Sequence, residues 1–207
     1  MIDINRITGE IRALEQQLEE AFAKQRAGLN YGLERGRIQF DAEVARRHRA
    51  LKRSLALYLI KARPLVVFTA PLIYSLIIPF ALMDFWVSFY QAVCFRVYDI
   101  PQVKRSRYFI LDRAGLPYLN ALEKLNCAYC SYVNGVIAYV REVGARTEQY
   151  WCPIKHAKRV LGAHPRYAAF EDYGDGARYQ QRLKDLRRAL TTESDEEDNS
   201  VANEPGL

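Results

Sequence analysis

Hydrophobic positions along the chain follow three different patterns, and each change of pattern marks an expected change of element. From the start, Ile4, Ile7, Ile11, Leu14, Leu18 and Ala21 recur at steps of three and four, with Glu10, Arg12, Glu15, Gln16, Glu19 and Glu20 between them. That period predicts an amphipathic helix with one apolar seam, an arm of coiled-coil-like character. A seam over residues 4–21 suits self-association or a protein partner, or else packing on the chain's own C-terminal module. Ala27–Gly32 (AGLNYG) interrupts the pattern, because two glycines and an asparagine weaken a helix near Gly28. Leu29, Leu33, Ile38, Phe40, Val44, Leu51 and Leu55 continue it. The expectation is a second helix folded back on the first, or one long helix with a weak point.

The second pattern has no polar face at all. Leu65–Met83 (LVVFTAPLIYSLIIPFALM) is nineteen residues without a charge, followed by Asp84, FWVSFYQAVCF and Arg96. Such a run has the length of a bilayer-spanning helix, and lipid is the environment that accepts it most readily. Basic residues stand on both sides: Arg46, Arg47, Arg49, Lys52, Arg53, Lys61 and Arg63 before it, and Arg96, Lys104, Arg105 and Arg107 after it. The first flank places the N-terminus in the cytoplasm, at an inner or plasma membrane, and the second argues for the same side. A hairpin turning near Pro79 or Asp84 satisfies both flanks. Its legs are short, however, since the 31 residues Leu65–Phe95 make only about 46 Å of helix. A single tilted crossing is the alternative. Asp84 within this block should face a polar neighbour, stay protonated or lie near an interface.

The third pattern returns to helical amphipathicity. Leu119, Leu122, Leu125, Tyr129, Val133, Ile137 and Val140 form one apolar face, and a further helix is expected to begin near Glu148 with Thr147 as its cap. After a turn at Gly174–Gly176, Tyr179, Leu183, Leu186 and Leu190 line one side of a last helix. The fold class is therefore mainly all-α. The expected division is an arm over 1–63, a membrane segment over 64–95, a soluble helical module over 96–190 and a disordered acidic tail over 191–207.

Composition changes the picture at two points. The net charge is +6, from 30 basic and 24 acidic residues, but the last 17 residues hold six acids and no base. The body before them is thus far more basic than the total suggests, and it favours an anionic surface. The apolar block makes that surface the lipid bilayer rather than nucleic acid. The start of the chain has an acid at position 3 and no apolar stretch of signal-peptide type, so the N-terminal segment is expected to stay cytoplasmic.

The cysteines carry the candidate chemistry. In a reducing compartment they are read as ligands or thiols rather than a disulfide, with Cys94 a small apolar residue of the membrane block. Cys127 and Cys130 lie three apart, and Cys152 and His156 four apart, so each pair shares a helical face. Two helices presenting such pairs would close a tetrahedral three-thiolate, one-imidazole site suited to zinc. An iron–sulfur cluster would use the same thiolates with His156 as an unusual fourth ligand; a Cys127–Cys130 dithiol, or plain buried cysteines beside a core histidine, are the other readings. His164 is a substitute for His156. Asn134-Gly135 within an apolar helix points to tight packing, or with Asn126 to a pocket wall. The sequence carries no phosphate-binding glycine loop, H-E-x-x-H, G-x-S-x-G or Glu-x-x-His pair. The function expected is a membrane-anchored scaffold or accessory subunit with a structural metal site. The alternative is a redox or metal-dependent enzyme acting on a hydrophobic substrate such as a quinone or lipid.

Overall fold

In the computed structural model the described residues are 4–27, 31–34, 37–55, 60 and 63–202. The expected weak point at Gly28, Leu29, Lys61 and the end of the acidic tail from Asn203 lie outside them. The chain divides into two compact units, one up to Lys52 and one from Arg53.

The first unit opens with helix α1, Ile4–Ala27, as its period predicts. Its stripe of Ile7, Ile11, Leu14, Leu18 and Phe22 is exposed throughout. The second helix expected after it is replaced by an antiparallel ribbon, β1 (Tyr31–Glu34) with β2 (Arg37–Phe40), in the register Tyr31↔Phe40 to Glu34↔Arg37. Gly32 is a poor helix former, while Ile38 and Phe40 alternate with the period of a strand. Helical structure resumes in α2, Ala42–Ala50, where Arg47 pairs with Glu43 one turn away.

The second unit opens on the apolar block, one helical path α3 from Pro64 to Phe95. Pro64 stands in its first turn, where a missing N–H costs nothing. The path contains no reversal, so the hairpin favoured on charge grounds is not the course taken. Pro71 sits inside regular helix, and only Pro79 coincides with a local break. Regular helix stops at Ser75 and resumes at Ile77, since Pro79 cannot donate to the Ser75 carbonyl. The last five residues, Gln91–Phe95, widen into a π-helical turn that buries both Gln91 and Phe95. The helix then ends at Asp99, which takes the left-handed conformation (φ 54°), while the Ile100 N–H reaches back to the Phe95 carbonyl at 2.8 Å.

Residues 100–120 form a return segment with two short 3-10 turns, Arg105–Arg107 and Asp112–Gly115. Helix α4 then begins at Ala121 behind a reciprocal cap: Asn120 accepts from the Glu123 N–H, and Glu123 accepts from the Asn120 N–H. It runs to Trp151 without interruption. The break expected at Thr147 does not occur. Thr147 sits inside the helix and donates to the Val143 carbonyl at 2.8 Å, and burial of Val143, Ala145 and Arg146 carries the chain past Gly144.

Contacts between α3 and α4 advance together. Tyr74 meets Asn126, Asp84 meets Tyr132, Ser88 meets Tyr139 and Tyr90 meets Thr147. The two helices therefore lie side by side and parallel, which obliges the return segment to run back along them. Where all three meet, Phe95, Ile100, Val103, Tyr139 and Val143 form the core. Full burial of side chains as large as Phe95 contributes roughly 2–3 kcal/mol each. Gly135 is the close-packing point that its place in the sequence suggested: a Cβ there would lie 2.7 Å from the Tyr108 carbonyl oxygen. Asn134 instead turns outward and donates to the Cys130 carbonyl of its own helix, so it makes no pocket wall with Asn126.

A 3-10 turn at Pro165–Ala169 and helix α5, Tyr179–Ala202, complete the unit. Leu183, Leu186 and Leu190 are buried as predicted. The α5 backbone carries much of the acidic segment that composition alone would leave without structure.

Candidate functional site

Two polar clusters pack against α4 in the second unit, and the thiols belong to neither. The first lies on α3. Asp84, Ser88 and Gln91 are four and three residues apart, so they fall on one face of an otherwise apolar helix. Asp84 is 7% exposed and receives a forked pair of hydrogen bonds from Arg105, Nε at 2.9 Å and Nη2 at 2.6 Å. Tyr132 donates to the same carboxylate at 3.0 Å. The Arg105 guanidinium lies over the Phe109 ring, 3.7 Å from its centre. Gln91 treats the return segment as a strand would: it accepts from the Val103 N–H at 3.0 Å and donates to the Val103 carbonyl at 3.3 Å. Its amide also donates to the Tyr139 hydroxyl at 2.7 Å, which lies 3.1 Å from Ser88 Oγ. Each polar side chain on this face has a partner, so the cluster is built to hold α3, α4 and the return segment together.

The second cluster stands near the end of α4. Glu142 Oε1 accepts from Arg146 Nε at 2.9 Å and from Arg166 at 3.0 and 2.8 Å. Arg146 continues to the Pro101 carbonyl at 3.0 Å, and Arg166 to Gln149 at 3.2 Å. Gln149 in turn donates to the Leu186 carbonyl of α5 at 2.9 Å. Burial pushes the Glu142 carboxyl upward, but the hydrogen bonds and charges of Arg146 and Arg166 outweigh it and hold the group below the usual range. His164 Nε2 lies 3.0 Å from Glu148.

The predicted ligands are placed as follows. Cys127 is half-buried and Cys130 exposed near the start of α4, whereas Cys152 is exposed just past its end. Since the helix between is continuous, Cys130 and Cys152 stand about 33 Å apart along its axis. His156 lies in the irregular segment after α4, where its N–H donates to the Tyr167 hydroxyl at 2.6 Å and its ring stacks on Tyr167. The two pairs are therefore not brought together within one chain. Among the described residues no group of three or more His, Cys, Asp or Glu is arranged to hold a metal.

Beside the second cluster, an open groove of about 370 Å³ runs between α3 and α4. Gly144 leaves room for it, Val87, Val140 and Val143 form apolar walls, and Tyr90, Glu148 and Trp151 also line it. Its polar groups are few.

Comparison with protein-family models, curated proteins and solved structures found no match to this chain.

Several of the residues that organise this unit carry only a weak signal in the sequence. The Asp84, Ser88 and Gln91 spacing was there to be read, but their partners lie on other elements, 12 to 51 residues away. Asn120 and Glu123 are the exception, since N-x-x-E before an apolar run is a recognisable cap. Nothing in the local pattern around Arg166 announces its pairing with Glu142.

Proposed function

We propose that this is a membrane-anchored helical protein acting as a scaffold or accessory subunit, with its N-terminal segment on the cytoplasmic side of an inner or plasma membrane. One observation carries this reading. Helix α3 is inside-out: Asp84, Ser88 and Gln91 face the protein, while Phe68, Leu72, Leu82, Trp86 and Phe89 are each more than half exposed. In water that arrangement leaves a large apolar surface uncovered, which soluble monomers rarely tolerate. In lipid it is the expected arrangement, since ionisable groups turn inward and find partners. A scaffold role agrees with two polar clusters whose hydrogen bonds join neighbouring elements. Washing membranes with alkaline carbonate tests the reading: the full-length chain is expected to stay in the pellet and to be released only by detergent. Release by carbonate would sink it.

The metal site belongs to this proposal as a question of stoichiometry. Zinc held by Cys127, Cys130, Cys152 and His156 requires the start of α4 in one copy to meet the end of α4 in another. Elemental analysis of detergent-purified protein should then give one zinc per such set, lost on Cys130→Ser and on dilution to monomer. An absorption band in the violet with bound iron would instead favour a cluster.

A second reading, an enzyme acting on a hydrophobic substrate such as a quinone or lipid, is favoured by the apolar groove beside Gly144. Its test is binding: a short-chain quinone should quench tryptophan emission through Trp151, and Gly144→Leu, which fills the groove, should abolish the quenching.

A further inference from the structure

The two faces of α3 raise a question that the membrane reading leaves open, which is how the helix lies in the bilayer. We propose that α3 lies in one leaflet, roughly parallel to the membrane surface, and does not cross. The inference rests on the membrane reading above and adds the geometry of the lipid contact.

Three observations carry it. The first is length. Pro64–Phe95 is 32 residues, about 48 Å of helix, against a hydrocarbon core of about 30 Å. Holding Arg63 and Arg96 at opposite edges of that core would demand a tilt near 50°, beyond the range of roughly 0–40° that crossing helices adopt.

The second observation is what lies on the inward side. The return segment carries Lys104, Arg107, Asp112 and Arg113, all exposed, beside Arg105, whose charge is paired with Asp84. It is held alongside α3 and α4 through the Arg105–Asp84 fork, the Gln91–Val103 pairing and the contact of Tyr108 with Gly135. An upright α3 would carry this charged strip into hydrocarbon next to it, where exposed charges are costly. A flat α3 places the same strip above its buried side, at the headgroups, where its excess of cations is favourable to anionic lipid.

The third is the charge of both flanks. Basic residues precede Pro64 and follow Phe95, and the positive-inside tendency assigns both to one side. A hairpin would satisfy this, but α3 contains no reversal. A helix lying in one leaflet satisfies it without turning. The face that would meet the acyl chains is continuous: Phe68, Leu72, Leu82, Trp86, Val93 and Val97 are between 48% and 84% exposed.

Depth measurement tests the proposal in the full-length chain. In a Trp86→Phe, Trp151→Phe background, single tryptophans are introduced as Phe68→Trp, Leu82→Trp or Val93→Trp, all at exposed positions. Each variant is reconstituted into sealed phosphatidylcholine and phosphatidylserine vesicles, with helical content checked by circular dichroism. Quenching by lipids brominated at different depths should place the three tryptophans within about 5 Å of one another. Protease added outside should cut at Lys52–Arg53 and at Lys158–Arg159 from the same side. A tryptophan at 82 lying more than about 10 Å deeper than the other two would overturn the proposal while leaving the membrane reading intact, because 14 residues of upright helix span about 21 Å. Cleavage from opposite sides would do the same. Absence of quenching at all three positions, with helical content preserved, would remove the membrane reading itself.

Discussion

Helices α1 and α3 both expose many apolar side chains, yet their patterns are complements. On α1 a narrow apolar stripe, Ile7 to Phe22, runs through a charged surface. On α3 a narrow polar stripe, Asp84 to Gln91, runs through an apolar one, and it is the polar stripe that is covered. The difference teaches that exposure of apolar residues does not by itself identify a solvent. What identifies it is which minority face the fold has hidden. A helix that hides its few polar groups suits an apolar surrounding, whereas one with a few apolar groups in a charged surface suits water or a partner helix.

Breaking the apolar face of α3 should have the largest effect. Leu72→Asp introduces a charge where lipid contact is expected and should weaken membrane retention by about 3 kcal/mol, roughly 100-fold in partition. Leu14→Asp on α1 is the matched control and should leave carbonate-resistant recovery unchanged. Equal behaviour of the two variants would erase the distinction between the helices.

Breaking the polar face comes next. Asp84→Ala leaves the Arg105 fork and the Tyr132 hydroxyl without their acceptor and should lower stability in detergent by about 2 kcal/mol, read as an earlier loss of helical signal on heating. Arg105→Lys should cost less, since a lysine keeps the charge while losing the forked geometry and the guanidinium's stacking on Phe109. Gly135→Ala sharpens the same point on α4. Its Cβ would meet the Tyr108 carbonyl at 2.7 Å, so the usual helical gain from alanine should be reversed into a loss of about 1–2 kcal/mol.

The smallest effect concerns Glu142, in the polar cluster away from α3. Its carboxyl is raised by burial but lowered further by Arg146 and Arg166, so the folded-state value lies below the ordinary 4.5. Stability from this group is therefore complete above about pH 4.5 and is lost as the pH falls through the folded value. Glu142→Gln should flatten the acid limb of an unfolding profile, with little dependence on whether lipid or detergent is present. A pH dependence unchanged by this substitution would place the acid sensitivity elsewhere.

Much of this architecture could be read from spacing alone. The α1 period, the apolar block, the last amphipathic helix with Leu183, Leu186 and Leu190, and the close packing at Gly135 all follow from local pattern. The pairing of β1 with β2 does not, because their few apolar positions fit a helix period as well as a strand period, and the Cα register is set across the two strands. A one-chain metal site of Cys127, Cys130, Cys152 and His156 needs a helix boundary near Thr147. With α4 continuous through that point, the same spacing puts the two pairs at opposite ends of one rod.

Leu65–Met83 is legible from residue order alone as a stretch that favours an apolar surrounding, because so continuous an uncharged run has no polar face to turn to water. Only the tertiary structure decided which face of that stretch turns inward, since the partners that hold it, Arg105, Tyr132 and Tyr139, come from segments whose proximity depends on α3 and α4 running parallel. Local periodicity reports how much surface is apolar. The return of the chain along its own helices decides where that surface points.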